Sequence, residues 1–74
     1  MGHRVHFRIT DGAKVYHVVQ AMDSVPAVRD KIWVCDNEGR FSGEVVIDSE
    51  FGDPTTEGEI THAYLYGHTV RYDD

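Results

Sequence analysis

Aromatic and imidazole side chains recur at every second position near the C-terminal end of the chain. The segment THAYLYGHTVRY, residues 61–72, places histidine or tyrosine at positions 62, 64, 66, 68 and 72. In a β-strand, side chains two positions apart leave from the same face. Such a row suits three kinds of chemistry: stacking against nucleic-acid bases, binding a metal ion, or packing in a core or protein interface.

Metal binding deserves the first test because five histidines in 74 residues is a high count. His3 and His6 are three positions apart, so on a strand they point to opposite faces. His62 and His68 share a face but stand about 20 Å apart, whereas zinc ligands converge to about 2 Å from one ion. Only a bend or a cross-strand partner such as His17 would bring imidazoles together. We therefore predict no metal site and no other cofactor.

Nucleophilic catalysis has one cysteine available, Cys35. It follows Trp33 and Val34 in an apolar segment, where a free cysteine usually behaves as a small buried hydrophobe. A reactive thiolate also needs a base and an oxyanion-stabilising group, often a helix N-terminus, and the sequence predicts no helix. The chain carries neither the Gly-rich nucleotide fingerprint nor the strand–turn–helix serine elbow. We predict that the protein is not an enzyme.

The net charge of −6 is unevenly distributed along the chain. Up to Arg40, six basic residues accompany five acidic ones; from Phe41 on, eight acidic residues accompany Arg71 alone. This balance disfavours nucleic acid, whose phosphates require Lys and Arg, and favours a protein partner with a basic surface. A solvated acidic face without a partner is the alternative. The predicted partner-binding residues are Glu44, Asp48, Glu50, Asp53, Glu57 and Glu59, together with Tyr64 and Tyr66.

The same charges bear on the aromatic row. A single-strand binder needs a basic groove beside its stacking rings, yet the neighbouring sequence supplies one arginine and four carboxylates. Tyrosine packs well, because its ring fills a core edge while its hydroxyl reaches water. Ala63 and Leu65 make the opposite face apolar as well. We predict that the row mainly packs in the core and its rim, with the outer tyrosines free to contact a protein partner or a second copy of the chain.

The elements that position these residues are predicted to be five β-strands in one small domain, residues 1–74. Apolar and polar residues alternate in the first strand, and Asp11-Gly12 marks a hairpin turn. The second strand is apolar on both faces and is expected to be central. Gly43 predicts a bulge or a sharp bend, Gly67 a kink, and FGDPTTEG the only long loop. The predicted strands span residues 5–9, 15–22, 31–35, 41–47 and 59–72.

Five strands with short turns favour an all-β fold, either a single small five-stranded barrel or a strongly curled antiparallel sheet. The stretch VPAVRDKIWVCDNEGRFSGEVVI, residues 25–47, resembles the core hairpin of Src-homology-3-like barrels, and more narrowly the KOW-type pattern. Asp30 precedes a hydrophobic strand, and an aromatic-x-Gly-x-Val strand begins at Phe41. Arg29 departs from the pattern, which has glycine before the aspartate. The chain also resembles short β proteins of phage and mobile-element genomes, several of which inhibit host machinery.

These observations predict a non-enzymatic protein-binding module that presents an acidic, tyrosine-bearing surface to a basic partner. A phage-type inhibitor of host nucleic-acid-handling or defence machinery is the most concrete version. One alternative is a KOW-like nucleic-acid-binding barrel that uses Arg4, Arg8, Lys14 and Arg40; another is a self-assembling structural protein. No apolar run reaches the roughly 20 residues that span a bilayer. With one cysteine, no intramolecular disulfide can form, so a cytoplasmic location is predicted.

Overall fold

Alternating apolar side chains build one strongly curled sheet that forms a half-barrel. The computed structural model describes residues 2–70, of which 67% lie in strands. The predicted all-β fold class is confirmed, with a sixth strand of three residues added. In chain order the strands are β1 (Gly2–Asp11), β2 (Lys14–Met22), β3 (Lys31–Cys35), β4 (Ser42–Glu50), β5 (Thr55–Glu57) and β6 (Ile60–Thr69).

The sheet has the strand order β2-β1-β6-β4-β3, with β5 also paired to β6. Neighbouring strands are antiparallel except β1 and β6, which run parallel, with Gly2 opposite Ile60 and Thr10 opposite His68. Because β1 covers one edge of β6 over this length, β4 and β5 share the other edge. The parallel pair brings the N-terminal strand beside the C-terminal one, which local patterns could not predict.

The core fills the concave face of the sheet. Every second residue of the central strands points inward and is nearly inaccessible to solvent, as the alternation in β1 predicts. The curl also brings β2 towards β3, where the Cys35 N–H donates to Gln20 Oε1 at 3.4 Å. Among the described residues, the buried hydrophobic ones are Val5, Phe7, Ile9, Val18, Val34, Phe41, Val45, Ile47, Ala63 and Leu65.

Two predictions about burial are wrong. The second strand was expected to be central, but β2 ends the strand order and exposes Val15 and Val19 by 57% and 43%. Cys35 was expected to be buried, but it is exposed, and it accepts a hydrogen bond from Trp33 Nε1–H at 3.0 Å. In both cases apolar residue types occupy the outer face, where the alternation with buried Val18 and Val34 places them.

Of the bulge or sharp bend predicted at Gly43, the bulge is wrong, because Gly43 pairs regularly with Val34. The irregularity in β4 lies between Ile47 and Ser49, which makes Asp48 the extra residue. The predicted FGDPTTEG loop contains β5, so it is shorter than expected.

Gly67 does not kink β6, which runs unbroken through it. A Cβ at this position would lie 2.6 Å from Val45 Cγ1 and 2.9 Å from the carbonyl oxygen of Val46. Contacts this short do not occur in folded proteins. Glycine is therefore needed here so that β4 can approach β6 closely.

The turn before β3 is present although arginine stands where the KOW-type pattern would have glycine. Arg29 has φ of +79°, the left-handed conformation that glycine adopts most easily. Its N–H donates to the carbonyl oxygen of Ile47 at 2.7 Å, and the Ala27 N–H donates to Asp30 Oδ2 at 2.9 Å. Arg29 therefore takes the position of the expected glycine by adopting a left-handed backbone conformation.

Candidate binding site on the outer face

The aromatic row lies on the convex face of the sheet, so the prediction that it mainly packs in the core is wrong. Ala63 and Leu65 point inward and are 4% and 1% exposed, which turns the alternate positions outward. Tyr64 is half-buried against its outer-face neighbours, and Tyr66 is 37% exposed. The last member of the row, Tyr72, lies outside the described residues.

Four rings of this face contact one another: His6, Phe51, Tyr64 and Tyr66, here called the aromatic surface. His6 stacks on Tyr64 with ring centroids 4.8 Å apart, and Phe51 lies 5.6 Å from Tyr64 and 4.6 Å from Tyr66. The Phe51 N–H donates to the carbonyl oxygen of Tyr64 at 3.1 Å, which fixes the loop over the sheet. The bulge in β4 shifts the register, so that Phe51 is on the same face as the tyrosines.

Arginines from β1 flank the aromatic surface. The Arg8 guanidinium carbon lies 5.1 Å from the Phe51 ring centroid and 5.8 Å from that of Tyr66, both within cation–π range. Arg8 Nε–H also donates to His17 Nε2 at 2.9 Å. Arg4 lies further along β1, on the same face. The residues that flank β6 in the chain are mostly acidic, but β1, its parallel neighbour in the sheet, places arginines on this face.

His6 and His62 form a pair that crosses from β1 to β6. His6 Nε2 lies 2.9 Å from His62 Nδ1, so at least one of the two imidazoles is neutral. Burial, and then the charges of His62 and Arg4, lower the pKa of His6 below its ordinary value. Within residues 2–70, no group of three His, Cys, Asp or Glu side chains is placed to hold a metal ion.

The six predicted acidic residues follow one side of β6 and do not form one compact patch. Glu44 and Glu50 are at opposite ends of β4, about 20 Å apart at the usual rise per residue. Asp48, at the bulge, contacts His68 Nδ1 at 2.8 Å. Glu57 lines a shallow groove with Arg4. Asp53 lies in the loop before β5, and Glu59 in the turn before β6.

Of the four cations named for nucleic-acid binding, the structure brings two to the aromatic surface, Arg4 and Arg8. Lys14 begins β2, opposite Asp11. Arg40 lies in the turn between β3 and β4, where its Nε is 3.0 Å from Asp36 Oδ2. This contact raises the pKa of Arg40 and keeps its charge beside acidic groups.

Sequence reasoning identified Tyr64 and Tyr66 but missed His6, Arg8 and Phe51 as their neighbours. The alternation of Arg4, His6 and Arg8 with buried residues gave these side chains a common face, but no local pattern indicated which strand would lie beside them.

No helix in the described part of the chain is long and apolar enough to cross a membrane. Comparison with protein-family models, with curated proteins and with solved structures finds no match for this chain.

Proposed function

We propose that the protein is a non-enzymatic binding module that contacts a protein partner through the aromatic surface. The observation that carries this proposal is the position of Tyr64, Tyr66 and Arg8 together on the outside of a sheet whose inner face already holds the core. Tyrosine and arginine are the residues that most often dominate the binding energy of protein interfaces. Rings that the fold does not need in its core are available to a partner.

The partner has a basic surface in this proposal, because the side of β6 away from β1 is acidic. We name Asp48, Glu50, Asp53 and Glu57 the acidic edge; they lie in β4, in the loop after it and in β5, the strands that pair with β6 on the side away from β1. With a net charge of −6, the protein would attract a basic partner and speed their association. An inhibitor of the phage type, acting on nucleic-acid-handling or defence machinery, is the concrete form, since such machinery carries basic surfaces for phosphate.

A relationship to SH3-like, KOW-type barrels is part of the same proposal. The curled half-barrel is compatible with it, and the positive φ of Arg29 occurs where that family has glycine. Because function depends on the site and not on the fold alone, the proposed binding role rests on the aromatic surface and not on this relationship.

The test is a pull-down from a lysate of the source organism, with and without nuclease, using matched charge variants. Asp53→Lys with Glu57→Lys reverses two charges of the acidic edge; Asp23→Lys with Glu38→Lys makes the same change in net charge elsewhere. We expect the first pair, and Tyr66→Ala, to reduce recovery of a specific protein at least about tenfold, and the second pair to keep it. Equal recovery with both pairs would remove the acidic edge from the proposal.

Binding to single-stranded nucleic acid is the second candidate, favoured by Arg4 and Arg8 beside the rings. Arginine would contact phosphates while the tyrosines stack on bases. This candidate predicts that nucleic acid is recovered, that nuclease treatment abolishes this recovery, and that the binding affinity falls steeply with salt. Arg4→Gln with Arg8→Gln would abolish it, whereas reversal of the acidic edge would strengthen it.

A further inference from the structure

A groove of about 230 Å³ lies on the outer face over β1 and β2. Its nitrogen-bearing side chains are His6, Arg8 and His17; Val18 and Val19 add an apolar part, and the rings of Phe51 and Tyr64 close one side. No carboxylate of the described residues lines this groove, although the whole chain is acidic. A cavity with only cationic or protonatable polar groups favours an anionic ligand.

Both hydrogen bonds at the groove need imidazole nitrogens without protons. Arg8 Nε–H donates to His17 Nε2 at 2.9 Å, so that nitrogen must be unprotonated. The bond between His6 and His62, 2.9 Å long, needs at least one neutral ring. In this state Arg8 is the only cation of the groove, and its Nε–H is already engaged.

Protonation changes the groove in two ways. A proton on His17 Nε2 breaks the bond to Arg8, which frees the Arg8 Nε–H and adds a donor on the His17 imidazolium beside the other guanidinium N–H groups. A proton on His6 makes this ring cationic while the bond to His62 is kept, since His6 Nε2–H can donate to a neutral His62 Nδ1. The groove then contains three positive groups around a space large enough for a tetrahedral oxyanion.

We propose that this groove is a proton-dependent oxyanion site, which takes a sulfate or phosphate group when His6 and His17 are protonated. The anion replaces the hydrogen bond lost between Arg8 and His17 and neutralises the cations that protonation brings together. By linkage, the anion must favour protonation as much as protonation favours the anion. This inference does not depend on the proposed protein partner.

The charged groups around His6 fit this mechanism. On its own strand it has Arg4 and Arg8, on β6 it faces His62 and Tyr64, and on β2 it has His17. Glu57 of β5 lines the neighbouring groove with Arg4 and His62, but not this one. Burial, and then the charges of His62 and Arg4, lower the pKa of His6, which agrees with a groove in which a further positive charge needs an anion beside it.

The experiment uses inorganic sulfate, whose charge is constant between pH 5 and 8, with sodium chloride at the same ionic strength as reference. Imidazole resonances of the intact protein are followed by NMR at both ends of this range. We expect sulfate to shift the resonances of His6 and His17 and to raise the pKa of His6 by at least about 0.5, which is roughly threefold tighter binding to the protonated form. His3, which lies outside the groove, is the internal control.

Two variants separate the site from general screening. His17→Gln cannot become cationic, so sulfate affinity at pH 5.5 should fall about tenfold, while His3→Gln should leave it unchanged. Phenyl phosphate at pH 5.5 should displace sulfate if the site takes phosphate esters. If the site takes only the free ion, inorganic phosphate should displace sulfate and phenyl phosphate should not. Equal shifts of all histidines in sulfate, or no shift of His6 and His17, would overturn the proposal.

Discussion

At some positions of this small sheet one added carbon atom would determine whether the strands can pack, and Gly67 is the clearest example. We predict that Gly67→Ala lowers the free energy of unfolding by about 1–3 kcal/mol, because its Cβ would overlap Val45 Cγ1 and the Val46 carbonyl oxygen. The backbone oxygen cannot move aside without disturbing the pairing of β4 with β6. Urea unfolding followed by circular dichroism measures the difference.

Gly43→Ala is the matched control, since it makes the same change at a position of β4 that pairs regularly with Val34. Its Cβ would meet only the Phe41 ring, at an ordinary 3.6 Å. We expect this variant to retain the wild-type stability within about 0.5 kcal/mol. Equal losses in both variants would mean that β4 and β6 are not in close approach at Gly67.

Protonation of His6 gives a pH dependence whose sign follows from its lowered pKa. Between that pKa and the ordinary value of about 6.5, the unfolded chain binds more protons than the folded one. Stability contributed by neutral His6 is therefore complete above about pH 6.5 and is lost as the pH falls through the folded-state pKa. We predict that the unfolding free energy of His6→Gln decreases less than that of wild type between pH 7.5 and 5.

Urea unfolding at both pH values measures this difference, and His3→Gln serves as control because it removes an imidazole on β1 outside the His6–His62 pair. The carboxylates that titrate in this range are common to all three proteins, so they cancel in the comparison. A wild-type slope in His6→Gln would contradict the assignment of the pH dependence to this histidine.

At the scale of elements, the sequence predicted the strands well and their neighbours poorly. Lys31–Cys35 was predicted to the residue, and β2 to within one residue, because apolar alternation and turn residues are local signals. The strand Thr55–Glu57 was missed because all three of its residues are exposed and none is apolar. Both faces of β6 carry apolar groups, so alternation could not say which face was inside.

The parallel pairing of β1 with β6 could not be predicted from the sequence for a different reason. Nothing within either strand specifies a partner more than 50 residues away, and the register that puts His6 opposite Tyr64 follows from the curl of the whole sheet. The tyrosines of the candidate site were therefore predictable, while their basic neighbours were not. Judging the row by its chain neighbours led to the wrong prediction that it packs in the core.

The turn before β3 provides a prediction at the element scale. We expect Arg29→Gly to raise the free energy of unfolding by about 1 kcal/mol, because glycine adopts a φ of +79° without the steric cost that arginine bears. Arg29→Ala keeps the Cβ and removes the rest of the side chain, so it should give no gain. A gain of similar size in both variants would assign the effect to the arginine side chain and not to the backbone.

For the whole molecule, the small core sets how much damage the fold tolerates. A natural domain of 74 residues has about 4–11 kcal/mol of stability, and within residues 2–70 ten hydrophobic residues are buried. We predict that Phe7→Ala, which empties a fully buried aromatic site on the central part of the sheet, costs about 3–5 kcal/mol. A substantial fraction of this variant should be unfolded at 37 °C.

Trp33→Ala is the control, because it removes a larger aromatic side chain that is 62% exposed on the outer face. It should cost less than about 1 kcal/mol, and its stability must be followed by circular dichroism since Trp33 is the only tryptophan. A loss as large as that of Phe7→Ala would mean that Trp33 is covered in solution. If that loss also grew with protein concentration, the cover would be a second copy of the chain, and the self-assembling alternative would replace the binding module as the leading function.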